Sequence, residues 1–168
     1  SPGGQAWIAD QMVREIEKVK EQMPVIVSMS DVAASAGYMV ACLGDTVFAQ
    51  PNTITGSIGV FGLTFNAEQL LEDKMGIRTY HINTAEHADM GYPDRSLDAY
   101  ERQVLQNAVD RYYGQFIDLV AEERDLSRAY VDSIGQGRVW SGSRALKLGL
   151  VDALGGMKEA EEAARAMA

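Results

Sequence analysis

The sequence predicts an α/β fold with a largely parallel sheet flanked by helices. Three observations predict it. Short β-branched apolar runs alternate with helix-period stretches, the order expected of strands joined by helical crossovers. The length of 168 residues suits one domain, so residues 1–168 read as a single unit. A hydrophobic share of 46% is enough to fill its core, and no repeat or low-complexity tract breaks the order.

The first element is a helix. Ile8, Met12, Ile16, Val19 and Met23 recur at three- and four-residue steps, and Pro24 stops the run. "PVIVSM" reads as a buried strand, being short, β-branched and apolar. "AASAGYMVACLG" reads as a turn entering a short buried helix, and "DTVFAQ" as the next strand. "PNTITGSIGVFG" combines a loop and a strand. "NAEQLLEDKMG" is a short helix with Asn66 as N-cap and Gly76 as stop. "IRTYHI" follows as a strand, and residues 83–95 form a polar loop.

A long helix is expected from about Ser96 to Glu123, with Ser96 as its cap. Its apolar face would be Leu97, Tyr100, Val104, Ala108, Tyr112, Phe116, Leu119 and Val120. Beyond it lie a short helix in "SRAYVDSIGQG", an extended "RVWSG", a helix in "SRALKLG", a strand and turn in "LVDALGG", and a final Ala/Glu-rich helix.

Composition narrows the function. The net charge is -9 with scattered positive charges, which disfavours nucleic acid, because phosphate binding needs a basic stripe. Cys42 is the one cysteine, so no intrachain disulfide forms, and in its apolar run it reads as a small core residue. His81 and His87 lack metal-ligand spacing, so neither a metal nor a cofactor is expected. No apolar stretch approaches the roughly 20 residues of a membrane span, and no stretch reads as a signal peptide. The opening "SPGG" is a tight-turn signal with no element before it. It reads as the start of a piece of a longer protein, whose upstream part would carry any anchor.

Ser35 stands out within "DVAASAGYMVACLG" because small residues surround it: Ala33, Ala34, Ala36 and Gly37. A serine hydroxyl becomes a nucleophile only when a base takes its proton and donors receive the oxyanion. At a strand-to-helix turn, the N–H of the next residue can serve as one donor. Taken alone, the local sequence favours the commoner case, a serine capping a helix start. The glycine pair of "SPGG" adds a second backbone that can approach a ligand and offer N–H groups.

"SPGG", "PVIVSMSDVAASAGYMVAC" and "PNTITGSIGVFG", with "GQGRVWSGSRALKLGLVDALGG" further on, strongly resemble the signal peptide peptidase A family. The resemblance covers essentially the whole chain, in order. It implies a Clp-protease/crotonase-like fold and serine peptidase chemistry. Carried over by position, Ser35 matches the nucleophile. Gly4, with Gly3 beside it, matches the glycine turn of the oxyanion hole, and the Ala36 N–H would be the second donor. Ser57 matches a serine that holds the general base, which in this family is a lysine.

That lysine is missing. The matching stretch is "NTAEHADMGYPDR", with Ala88 at the expected position, and no lysine occurs between Lys74 and Lys147. Lys18 and Lys20 lie on the polar side of the first helix, Lys74 reads as a solvated residue of an amphipathic helix, and Lys147 reads as covering a helix face. His87 is the alternative base, with Asp89 or Glu86 to orient it, although an exposed loop histidine is the commoner case; His81 reads as structural. The Ser-His-Asp triad of the related Clp proteases is excluded, since "TGSIGVFG" carries no histidine.

Long family members are tandem duplications, and this chain resembles their C-terminal, serine-bearing half. The resemblance thus implies a Ser-Lys peptidase acting on signal peptides or other apolar peptides. An N-terminal half or a neighbouring subunit would supply the lysine. It further implies a homo-oligomer associated with the membrane of the cell envelope. Two rivals remain: a non-catalytic scaffold half, and a crotonase-like acyl-CoA enzyme, which the "AASAGY" and "TGSIG" pair fits poorly.

Overall fold

The computed structural model describes residues 1–167. The chain divides into two compact units, one formed by Ser1–Val60 with the chain from Tyr112 onward, the other by Phe61–Arg111.

The first unit is an α/β assembly. Its first sheet has the order β1-β3-β6, all parallel: β1 (Ile26–Met29), β3 (Thr46–Ala49) and β6 (Ala153–Leu154). Its second has the order β2-β4-β5: β2 (Val32–Ala34), β4 (Ile54–Gly56) and β5 (Val139–Ser141). There β2 and β4 run parallel, with Val32 opposite Ile54 and Ala34 opposite Gly56, while β5 is antiparallel. The α/β class and the mainly parallel pairing agree with the sequence. The division into two three-stranded sheets does not: after β1 the chain passes Ser30 and Asp31 and enters the other sheet, so β1 and β2 never pair.

Among the described residues the α-helices are α1 (Ala6–Lys20), α2 (Ala36–Ala41), α3 (Ala99–Glu123), α4 (Arg128–Ile134), α5 (Gly142–Lys147) and α6 (Met157–Met167). The core of the first unit joins Met29, Tyr38, Val47, Phe116, Val120 and Leu150. Tyr38 Oη donates to Leu150 O (2.9 Å), which satisfies a buried hydroxyl. Ser127 and Ser141 cap α4 and α5 by accepting from Tyr130 N and Arg144 N.

Three expectations in this unit need correction. The stripe Ile8, Met12, Val19 and Met23 is exposed, and α1 instead buries Ala9 and Val13, whose small side chains permit close approach. The helix also ends at Lys20, before Pro24. "PVIVSM" is a strand, but only Met29 of β1 is buried, because one edge of β1 lacks a neighbour.

The second unit contains a π-helical turn, Leu70–Lys74, just after Asn66, whose side chain accepts from Glu68 N (2.8 Å) as predicted. Gly76 ends that turn with φ 65°. No strand forms at "IRTYHI": Ile82 is 99% exposed, and residues 78–82 make no backbone hydrogen bond among the described residues. β-propensity needs a ladder partner to act, and this unit offers none. Ser96 does not cap the long helix. The cap is Asp98, which accepts from Glu101 N (2.8 Å) while Glu101 accepts from Asp98 N (3.0 Å), a reciprocal capping box. Tyr100, expected on the apolar face, is 61% exposed.

Candidate active site

Ser35 joins β2 to α2 with φ 53° and ψ -125°. Positive φ is unusual for a residue with a side chain, and such a conformation costs about 1–3 kcal/mol. Neighbouring hydrogen bonds impose it. Ser35 N donates to Gly56 O (2.9 Å), while Ser35 O accepts from Tyr38 N (2.8 Å) and Met39 N (2.9 Å). The hydroxyl does not cap α2. It also has no hydrogen-bond partner among the described residues, although the side chain is only half-buried. The capping role that local sequence favoured is therefore absent, and a strained turn presents a free hydroxyl instead.

The opening segment reaches the same turn. Ser1 N donates to Val32 O (2.6 Å) and Ser1 O accepts from Ala34 N (3.0 Å), so Ser1 lies along β2 like one residue of a parallel strand. Gly3 follows with φ 131°, and a Cβ built on it would stand 2.9 Å from Ser35 Cβ and 3.2 Å from Ser35 Oγ. Only glycine fits there. Gly4 differs, since a Cβ on it would meet nothing within 4 Å. Gly3 N already donates to Ser1 Oγ (3.3 Å), whereas the amides of Gly4 and Ala36 have no acceptor among the described residues.

Ser57 follows β4 as Ser35 follows β2, with φ 50°. Its amide donates to Arg138 O (2.7 Å), and its hydroxyl too has no partner among the described residues. Ser35, Ser57, Gly3 and Ala36 thus gather at the C-terminal ends of two paired parallel strands, the usual edge for ligands in α/β sheets. The sequence reading missed Ser1, which aligns the glycine turn, and Arg138, whose carbonyl fixes Ser57. Long-range backbone pairing leaves no signal in their side chains.

Cys42 is fully buried, and burial pushes its thiol up to about 12, so it offers no thiolate. The lysines offer no buried free amine either. Lys18, Lys74, Lys147 and Lys158 are exposed, and Lys20 Nζ pairs with Glu123 (2.6 Å).

The histidines lie in the second unit, and their partners differ from those expected. His87 Nδ1 is 3.4 Å from Asp98 and 3.5 Å from Glu101, and its ring stacks on Tyr100. Asp89 does not orient His87. Both of its oxygens accept from Arg95, at 2.7 and 3.0 Å, and the same guanidinium holds the buried Glu101. That contact is the largest of the effects that lower the Glu101 carboxyl to about 2. His81 Nε2 pairs with Asp94 (2.7 Å). Ligand atoms of His87, Asp98 and Glu101 lie within 4.8 Å of one another, a convergence that spacing did not flag. Both Glu101 oxygens are engaged by Arg95, so the cluster is built as an ion-pair network.

A family model described as Peptidase family S49 matches residues 17–168. The chain is 39% identical over 161 residues to the chloroplastic serine protease SPPA of Arabidopsis thaliana, covering 95% of this chain and 24% of that protein. It is 37% identical over 161 residues to Protease 4 of Haemophilus influenzae, covering 95% of this chain and 26% of the other. The chain therefore spans about a quarter of the length of these relatives. Among solved structures, a ClpP1 mutant from Listeria monocytogenes aligns with a TM-score of 0.58 at 16% identity, over 95% of this chain and 72% of that one. This likeness shows a Clp-protease fold.

Proposed function

This chain belongs to peptidase family S49, and from that premise we propose that it is the serine-bearing part of a peptidase that hydrolyses apolar peptides, with Ser35 as nucleophile. The observation that carries the reading is the strained Ser35 turn, with its free hydroxyl against Gly3. Ser35 Oγ attacks the scissile carbonyl carbon, and the oxyanion accepts hydrogen bonds from the Gly4 and Ala36 amides, beside Gly3. A neutral lysine takes the Ser35 proton and passes it to the leaving amine; water then releases the acyl group. Ser57 holds that lysine. The lysine comes from outside residues 1–168, supplied by an N-terminal half or a neighbouring subunit of a homo-oligomer. Released signal peptides are the substrate class, and the parent protein works at the membrane of the cell envelope. Within the described residues no helix is long and apolar enough to cross a membrane.

A fluorophosphonate probe tests this. The parent protein should be labelled at Ser35, and Ser35→Ala should remove both label and hydrolysis. An unlabelled Ser35 in a parent that still hydrolyses peptides would overturn the assignment. The scaffold reading gains one observation, the lack of a buried free lysine, and predicts neither label nor hydrolysis. The crotonase reading predicts CoA affinity without label.

A further inference from the structure

We infer that Tyr113 is a positioning residue for the active site: its hydroxyl holds the loop of residues 135–138, and that loop fixes the backbone of Ser57. The inference rests on the reading of Ser57 as the holder of the base, and it deepens that reading.

Ser57 stands at φ 50° with its amide on Arg138 O (2.7 Å), and the next residue, Ile58, accepts from Gly137 N (2.8 Å). Two bonds thus clip the Ser57 turn to one short loop. No side chain cushions the approach. A Cβ on Gly59 would stand 2.7 Å from Gly137 Cα, and one on Gly56 would stand 2.9 Å from Trp140 Cδ1 and 3.2 Å from Arg138 O. The two segments are therefore packed tightly both before and after Ser57, and a shift of the loop is passed to the serine.

The loop is itself strained. Gln136 and Gly137 follow one another in the left-handed region, at φ 56° and 75°. A residue with a side chain stays there only where its neighbours over-determine it. At Gln136 the neighbour is Tyr113 of α3, whose hydroxyl accepts from Gln136 N (3.0 Å) and donates to Asp132 Oδ1 (2.8 Å). One phenolic oxygen can do both at once. Asp132 takes the hydroxyl proton, which leaves a lone pair for the loop amide. Arg138 Nη2 closes the loop on Gln136 Oε1 (2.9 Å). Tyr113 thus acts on Ser57 through main chain.

The test uses the parent protein and Tyr113→Phe, which removes the oxygen and keeps the ring. Amide exchange at Ser57 and Gly137 should quicken about ten-fold or more, while the Tyr38 and Val47 amides keep their rates. The acid limb of the kcat/KM profile should move to higher pH, as for Ser57→Ala, because a displaced Ser57 no longer favours the neutral amine. In a Ser57→Ala background, Tyr113→Phe should move it no further. A merely structural tyrosine would lower stability without moving the profile. Asp132→Asn, which keeps an acceptor for the hydroxyl, should lose far less activity than Asp132→Ala. Gly137→Ala has room for its Cβ but disfavours φ 75°, so it loosens the loop without touching α3. It should reproduce both changes, and it carries the test if Tyr113→Phe does not fold. Unchanged exchange at Ser57 overturns the inference alone, as does an unmoved profile beside a moved one in Ser57→Ala. Profiles unmoved in both overturn the role of Ser57, and this inference with it.

Discussion

Ser35 and Ser57 leave neighbouring parallel strands at the same level, each in a left-handed backbone, with φ 53° and 50°. They directly follow the paired residues Ala34 and Gly56, and the Ser35 amide bonds to Gly56 O. Strain at both positions is imposed by the ladder and stored at one edge of the sheet. Two hydroxyls without a hydrogen-bond partner among the described residues thereby stand on fixed backbones, and on the proposed reading this positions them before substrate arrives.

The strain at Ser35 predicts an opposition between stability and activity. Ser35→Gly relieves the positive φ, while Ser35→Ala keeps it. Relief worth about 1–3 kcal/mol exceeds the roughly 0.5–1 kcal/mol that glycine's looser unfolded chain costs. Chemical denaturation should therefore rank Ser35→Gly above Ser35→Ala by about 1 kcal/mol, with hydrolysis absent in both. A Ser35→Gly protein less stable than Ser35→Ala would show that the turn is unstrained.

Gly3→Ala tests the glycine turn. The added Cβ would meet Ser35 Cβ at 2.9 Å on a backbone with φ 131°, so the turn must move. Loss of one oxyanion donor lowers kcat by about 10²–10³. The expected result in steady-state assays of the parent protein is a kcat loss of that size with little change in KM. Gly4→Ala has open space for its Cβ, so a much smaller loss is expected.

Local pattern made most of this legible. The helix-strand alternation exposed the α/β class, and the small residues around Ser35 exposed the turn. Pairing between distant segments was not legible. "IRTYHI" has strand composition but no ladder partner in its unit, and α1 buries Ala9 and Val13 rather than its larger apolar residues. The proposed base was equally out of reach, because the matching position holds Ala88 and no lysine lies between Lys74 and Lys147. The cap of the long helix differs from the expected Ser96 for a simpler reason: the capping box Asp98–Glu101 lies two residues further on and holds the helix start.

Ser57→Ala separates positioning from folding. A hydroxyl that donates to a neutral lysine favours the neutral form, so its removal raises the lysine pKa. In a parent protein that supplies the base, the acid limb of the kcat/KM profile should move to higher pH, with about a ten-fold or greater loss at neutral pH. A uniform loss with an unmoved profile would leave Ser57 a packing residue only.

The Arg95 cluster predicts acid sensitivity confined to the second unit. Arg95 holds Asp89 below the usual carboxylate range and lowers Glu101 from 4.5 to about 2. Because these folded values lie below the unfolded ones, the stabilisation is complete above about pH 4.5 and is lost as pH falls toward 2. Amide exchange at residues 89–101 should accelerate through that window while the Val47 and Val120 amides stay protected. Arg95→Met leaves Glu101 buried without its cation, and like-charge repulsion from Asp89 and Asp98 then favours protonating it. In this variant the same residues should be loosely protected at pH 7 and gain protection on mild acidification, the reverse of the parent. Identical pH profiles for the two proteins would show that Arg95 does not hold the cluster together.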